Sequence, residues 1–358
     1  MQIEIESAIK AYCDPYLQTD LITANAIRSA TIINGKARVS IVLGFPAQGY
    51  HEQLIKELSA KILGIPGVNE VNIEILTKIV AHAAQDGVQN TLPQIKNIIA
   101  VASGKGGVGK STVAVNLALA LAAEGAEVGI LDADIYGPSQ PQMLGIQGQA
   151  HVYENKQFEP MRGHGLQSMS IGYLIDVNTP MIWRGPMVST ALQQLLRDTR
   201  WQEMDYLIVD LPPGTGDIQL TLAQKIPVSG VVIVTTPQDI ALLDARKGLE
   251  MFRKVKVSIL GIVENMSVHT CSQCGHEESI FGMEGGERIA KDCEVDLLGS
   301  LPLDKSIREQ ADGGAPSVVA DPDGKIALKY REIARRVGAK LALCPRNYGH
   351  KFPKIVVE

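Results

Sequence analysis

The chain has 358 residues, 45% of them hydrophobic, and 34 basic against 39 acidic side chains give it a formal charge of −5. That length suits two domains with a sizeable buried core, and the mildly acidic balance argues against nucleic acid or an anionic membrane as the main partner. No apolar run approaches the roughly 20 residues a membrane span needs, the opening Met1-Gln-Ile-Glu-Ile-Glu6 lacks the basic and apolar regions of a secretory signal, and the five cysteines are too few for a disulfide framework, so a cytoplasmic protein with thiols or metal ligands is expected.

Residues 1–76 read as a small α/β interaction domain: an initial helix, strands near Ile27–Ile33 and Lys36–Leu43, a helix from about Gln48 to Ile62, and a strand Val68–Ile75. Residues 77–97, with the polar, small and proline-ended run His82 to Pro93, suit a linker. From residue 98 to 345 apolar runs alternate with helical patterns. Strands are predicted at Ile98–Ala102, Glu127–Leu131, Tyr206–Asp210, Val231–Thr235, Ile259–Val263 and Leu297–Leu301. Such alternation predicts an α/β fold with a mostly parallel sheet covered by helices on both faces, binding its ligand at the carboxyl ends of the strands. Residues 346–358 form a tail too proline-broken for an amphipathic membrane helix.

The run Ser103-Gly-Lys-Gly-Gly-Val-Gly-Lys-Ser-Thr112 satisfies G-x-x-x-x-G-K-[ST], the pattern of a P-loop NTPase. Its backbone N–H groups, from Gly104, Lys105, Gly106, Gly107, Val108 and Gly109 into Thr112, would converge on the phosphates of ATP. Lys110 would neutralise the β- and γ-phosphates, Ser111 would offer its hydroxyl to Mg²⁺, and the following helix would direct its positive end at the same anion. The flanks agree: an apolar strand precedes the loop and an Ala- and Leu-rich helical stretch follows it. Lys105 is more than this pattern requires and calls for its own explanation.

Further on, the strand Val128-Gly-Ile-Leu-Asp-Ala-Asp134 carries two carboxylates, Asp132 and Asp134, out of the sheet beside the loop. Asp210, closing another apolar strand, is placed to hold Mg²⁺ directly or through water, and Gly214 and Gly216 allow the loop after it to move. Asn265 follows a third strand and has both donors and an acceptor to read a base edge. Then Cys271-Ser-Gln-Cys274 puts two thiolates at metal-biting spacing. One pair is half a site, since structural zinc and a four-iron cluster each usually take four ligands and no second C-x-x-C exists. Two subunits would supply four. A redox-active pair is the competing reading. Cys13, Cys293 and Cys344 are isolated and read as small buried hydrophobes.

The K-G-G-x-G-K-[ST] loop resembles the deviant P-loop class of septum-positioning, plasmid-partition, nitrogenase-reductase and arsenite-pump ATPases. That resemblance implies that Lys105 reaches across a dimer interface to the partner's nucleotide, that Asp134 orders the attacking water with Asp132 in support, and that Asn265 contacts the base. With Asp132-Ala-Asp-Ile-Tyr-Gly-Pro-Ser139, Trp183-Arg-Gly-Pro186, Asp210-Leu-Pro-Pro-Gly-Thr-Gly-Asp217, Asn265-Met-Ser267, Cys271 and Cys274, the chain is similar over nearly its whole length to the Mrp/ApbC family of iron-sulfur cluster carrier ATPases. The family implies a homodimer that holds a bridging [4Fe-4S] cluster on those cysteines and passes it to recipient apoproteins alongside cluster assembly factors, with ATP binding and hydrolysis governing the dimer. Arg184 is a weak candidate for a charge role in turnover. The first domain resembles the SufT-like small domain through Asp14-Pro15 and Ile65-Pro-Gly-Val68, but has Gly44-Phe45-Pro46 where members often carry Gly-Cys-Pro. A zinc-stapled ATPase and a partition-type ATPase are the alternatives; the second would need a basic face or a terminal amphipathic helix, neither of which stands out.

Overall fold

In the stretch Lys36–Leu43 every second side chain is buried, and this alternation organises the first sheet. The computed structural model describes residues 2–84, 92–175, 185–271 and 273–346. Strands β1 (Ile27–Ile33), β2 (Lys36–Leu43) and β3 (Glu70–Thr77) lie in the order β1-β2-β3, antiparallel then parallel. Asn34 and Gly35 join the first two with φ of 51° and 73°, the left-handed pair that a tight hairpin of the right twist requires. Helix Gln2–Lys10 contributes Ile5 and Ile9, and helix His51–Leu63 contributes Leu54, Leu58 and Ile62, to a core shared with Val39, Ile41 and Leu43.

The second sheet follows a different rule. Its inner strands are apolar on both faces, as befits a parallel sheet between helices. It contains β4 (Ile95–Ala102), β5 (Val128–Asp132), β6 (Met161–Gly163), β7 (Leu166–Ser170), β8 (Met204–Asp210), β9 (Gly230–Thr235), β10 (Ile259–Glu264) and, beyond the short hairpin β11 (His269–Thr270) and β12 (Glu277–Glu278), β13 (Leu297–Ser300). The order is β13-β10-β9-β4-β8-β5-β7-β6, and every pairing is parallel except β6 with β7. Helices 185–197, 217–225, 239–254 and 285–292 lie over one face around Leu192, Leu222, Leu249 and Phe252. Helices Lys110–Ala123 and Lys325–Ala342 lie over the other around Val113, Leu117, Tyr330 and Ile333. Helix Lys110–Ala123 is apolar nearly all round because sheet and neighbouring helix enclose it.

Each strand predicted after residue 97 has its counterpart here, and β4 opens three residues earlier, at Ile95. β6 and β7 were not foreseen. Leu166-Gln-Ser-Met-Ser170 reads as polar, yet all five residues are buried, since Ser168 meets the Tyr173 hydroxyl at 2.9 Å and Gln167 accepts from the Gln202 amide at 2.8 Å. Among the described residues no helix is long and apolar enough to cross a membrane. Residues 85–91 of the expected linker, Trp183, Arg184 and the tail from residue 347 lie outside the described residues.

The two halves of the chain meet at the far end of the helix that follows the P-loop. Glu124, fully buried, accepts from Arg331 Nε and Arg335 Nη2, each at 2.7 Å, and from the Gly49 amide at 2.9 Å. Burial pushes its carboxyl up, but the two guanidiniums and the amide outweigh that and hold it below the ordinary value. Gly338 lets the C-terminal helix approach Phe45 and Pro46, where an added Cβ would sit 3.0 Å from Phe45. Phe45 is fully buried there, so packing occupies the place where a Gly-Cys-Pro turn would carry its thiol.

Candidate functional site

The loop between β4 and helix Lys110–Ala123 needs its glycines. Gly107 and Gly109 have φ of 81° and 82°, a region side chains resist. A Cβ on Gly104 would strike the Asp244 carbonyl, and one on Gly109 the Asn265 side chain. Gly109 caps the helix, so the first-turn N–H groups and the positive helix end face the loop. Lys105 is half-exposed on the rim, and its ammonium has no hydrogen bond or ion pair among the described residues.

Beneath the loop, β4, β5 and β8 bring four site residues together. Lys110, 6% exposed, pairs with the fully buried Asp210 and lies 3.3 Å from the Ser111 hydroxyl. The second Asp210 oxygen accepts from Gln140 Nε2 at 2.9 Å, and the same nitrogen donates to the Ser111 carbonyl at 3.1 Å. Asp132 is committed within the protein. Its Oδ2 accepts from the Ser139 and Gln140 amides at 3.0 and 3.1 Å and from the Ser170 hydroxyl at 3.2 Å, while its Oδ1 accepts from the Asp134 amide at 3.2 Å. Burial first, then the nearby Asp210, raises its carboxyl above the usual range. The loop 133–140 is thereby gathered around one carboxylate. Asp134 is half-buried on that loop; burial raises its carboxyl, and Lys110 opposes the shift.

Asn265 Nδ2 donates to the Val108 carbonyl at 2.9 Å, tying the end of β10 to the P-loop. The loop after Asp210 is tied to the same place by the Gly214 amide on the Ser103 carbonyl at 3.0 Å, and is braced within itself by Gln219 Nε2 on the Pro212 carbonyl at 2.6 Å.

The thiol pair sits at the tip of the β11–β12 hairpin. Gly275, at φ 71°, closes the turn, with its amide on the Cys271 carbonyl and the Cys271 amide on the His276 carbonyl, each at 2.9 Å. Cys274 is exposed and Cys271 partly so. The backbone amides of Gln273 and Cys274, then the Cys274 thiol, lower the Cys271 pKa below the ordinary thiol value. Among the described residues no cluster of three or more His, Cys, Asp or Glu could hold a metal ion, so the pair has no third ligand there. Cys293 is buried and Cys344 half-buried, but Cys13 is exposed, against the expectation of a buried hydrophobe.

Two contributors escaped the sequence reading. Gln140 follows directly on the aspartate-containing run ending at Ser139, and that adjacency was its one signal. Ser170, from the unforeseen β7, had none.

Residues 94–338 match the family model described as NUBPL iron-transfer P-loop NTPase, and residues 2–75 match that of an iron-sulfur cluster assembly protein. An iron-sulfur cluster carrier protein of Pseudomonas fragi is 59% identical over 286 residues, covering 79% of this chain and 99% of its own. That of Escherichia coli is 51% identical over 328 residues, covering 91% and 89%. The iron-sulfur cluster transfer protein NUBPL of mouse is 50% identical over 259 residues, covering 72% and 81%. Among solved structures, a nucleotide-binding protein from Archaeoglobus fulgidus in complex with ADP aligns with a TM-score of 0.56 at 36% identity, over 65% of this chain and 91% of that one. The cell-division ATPase MinD of Pyrococcus furiosus, at TM-score 0.51 and 24% identity, shares the fold. With its family model spanning more than half of it and relatives this similar along most of their length, the chain belongs to the iron-sulfur cluster carrier family of P-loop NTPases.

Proposed function

We propose that the chain binds and hydrolyses ATP and, as a homodimer, carries a [4Fe-4S] cluster on Cys271 and Cys274 of both copies for transfer to recipient apoproteins in the cytoplasm. The observation that carries this reading is the pairing of a phosphate cradle with a solvent-accessible thiol pair that has no third ligand among the described residues. Two copies would bring four thiolates to one cluster, which is cargo rather than a resident cofactor.

The donor set fits a magnesium nucleotide. Backbone amides of the glycine loop bind phosphate, and Lys110 balances its charge. Ser111 and Asp210 would hold Mg²⁺, which supplies charge neutralisation at the phosphates. Asp134 orients the attacking water, and Asp132 acts on it indirectly, by fixing the loop on which Asp134 stands. Lys105, half-exposed and without an ion pair among the described residues, would reach a partner's nucleotide. Asn265 braces Val108 with one amide hydrogen and keeps its carbonyl and second hydrogen for the base.

Anaerobic reconstitution with iron and sulfide, followed by metal analysis per subunit, tests the carrier reading. About four irons per dimer are expected from the ligand count. Stoichiometric zinc with no iron uptake would return the chain to a zinc-stapled ATPase.

A further inference from the structure

Gln140 is fully buried, and its two terminal atoms differ in a way that chemistry settles. The atom 2.9 Å from Asp210 Oδ2 and 3.1 Å from the Ser111 carbonyl faces two acceptors, so it must be the nitrogen; exchanging the two ends would set oxygen against oxygen. The other end, Oε1, is then a buried acceptor, and it has no hydrogen-bond partner among the described residues. A buried acceptor left without a donor is costly and rare. This one belongs to the side chain that links the two residues assigned to magnesium, Ser111 and Asp210. Its backbone is pinned as well, through the Gln140 amide on Asp132 at 3.1 Å. A polar side chain so fixed, with one free acceptor, suits a donor that arrives with a ligand.

Magnesium holds few protein ligands and keeps several of its waters, and those waters donate hydrogen bonds. We propose that Gln140 is an outer-shell positioning residue of the magnesium site, holding Asp210 through Nε2 and accepting a hydrogen bond from a metal-bound water at Oε1. The inference rests on the magnesium nucleotide reading given above. It assigns a role to a residue outside the G-x-x-x-x-G-K-[ST] loop and apart from Asp132, Asp134 and Asp210, and it ties the loop ordered by Asp132 to the metal.

The test is a magnesium titration of the full-length protein with N-methylanthraniloyl-ADP, read by fluorescence and repeated with calcium and with EDTA. Gln140→Met is expected to raise the magnesium concentration at half-saturation about tenfold, the usual scale for losing an outer-shell partner. Nucleotide affinity in EDTA should stay within about twofold of wild type, and the calcium requirement should move by less than about threefold, because calcium sheds water for direct oxygen ligands more readily. Unchanged magnesium dependence would overturn the proposal. So would equal weakening for magnesium and calcium, which would mean that Gln140 does no more than hold Asp210. Should thermal melting show the Met variant unfolded, Gln140→Asn takes its place: it keeps both amide atoms but withdraws them by one methylene, and a loss for magnesium that calcium does not share supports the outer-shell role, while no loss or an equal loss for both ions excludes it. Wild-type protein that binds no analogue with or without metal would bring down the nucleotide reading itself, an outcome distinct from all of these.

Discussion

Around Lys110, charged and polar side chains are buried and bonded to one another. Around Cys271 and Cys274 the chain is a two-residue-per-strand hairpin with its thiols at the surface and no third metal ligand among the described residues. The first region is over-determined by the protein: Asp132 alone receives four hydrogen bonds. The second is held by backbone turns and little else. A phosphate site gains from donors fixed before the ligand arrives, since nothing then has to reorganise. On the carrier reading proposed above, a site that must surrender its cargo gains from exposure and from ligands shared between subunits. The difference teaches that one chain can set a pre-ordered polar site and an open thiol pair on separate elements.

That contrast breaks most sharply at Lys110. Lys110→Ala removes the counter-charge of the fully buried Asp210, so a destabilisation of about 3–5 kcal/mol is expected for a broken buried pair. ATP turnover should fall by about 100-fold or more, in line with losing a fixed positive charge at the phosphates. Thermal melting and phosphate release check the two effects, and turnover at the wild-type rate would refute the cradle.

Glu124 tests whether the same rule extends to the other end of the P-loop helix. Its carboxylate is fully buried, and Arg331 and Arg335 are 18% and 12% exposed. Glu124→Gln leaves both guanidiniums without their partner, and a loss of about 2–3 kcal/mol is expected after allowing for that partial exposure. The group's folded pKa lies below its ordinary 4.5. Its stabilisation is therefore fully present above about pH 4.5 and is lost as pH falls through the lower folded value. Melting curves from pH 3 to 7 should show the wild type losing its advantage over the variant only at the acid end; an advantage that persists undiminished at about pH 3 would contradict the depressed pKa.

Cys271→Ala and Cys274→Ala give the opposite pattern. Each should abolish iron retention after reconstitution while changing stability by no more than about 0.5 kcal/mol, as expected for one exposed and one partly exposed surface position. Full iron retention in both variants would place the cluster elsewhere. Large destabilisation would show that the hairpin is structural, in the manner of a zinc staple.

These two regions were not equally readable in advance. The P-loop and the inner strands were legible because local pattern and tertiary environment agree there: continuous apolar runs stand where helices cover both faces, and glycines stand where φ is positive. β7 was hidden because Gln167, Ser168 and Ser170 are polar in sequence, and Gln167 and Ser170 find partners far along the chain in Gln202 and Asp132. The Glu124 joint was hidden for the same reason, since its arginines lie 207 and 211 residues away. Gln140 looked like an ordinary loop glutamine; only the fold shows that its amide spans Ser111 and Asp210. The spacing of Cys271 and Cys274 was plain from the start, and the hairpin adds what spacing cannot show, namely which sulfur the backbone favours.

That last point yields the smallest and most selective expectation. Cys271 is the thiol on which the Gln273 and Cys274 amides converge, and hydrogen bonds to a thiolate stabilise the charged form. Its pKa lies below the ordinary 9.0. Burial pushes the Cys293 and Cys344 thiols the other way. Alkylation by iodoacetamide, followed residue by residue by mass spectrometry, should therefore mark Cys271 ahead of Cys293 and Cys344 at pH 7, with a rate that levels off at lower pH than theirs. In Cys274→Ala the two backbone amides remain and one thiol contribution goes, so the Cys271 midpoint should rise slightly and stay below 9.0. A midpoint at or above 9.0 in that variant would mean that the neighbouring thiol, rather than the turn, activates Cys271, and the hairpin would then prepare its two sulfurs only as a pair.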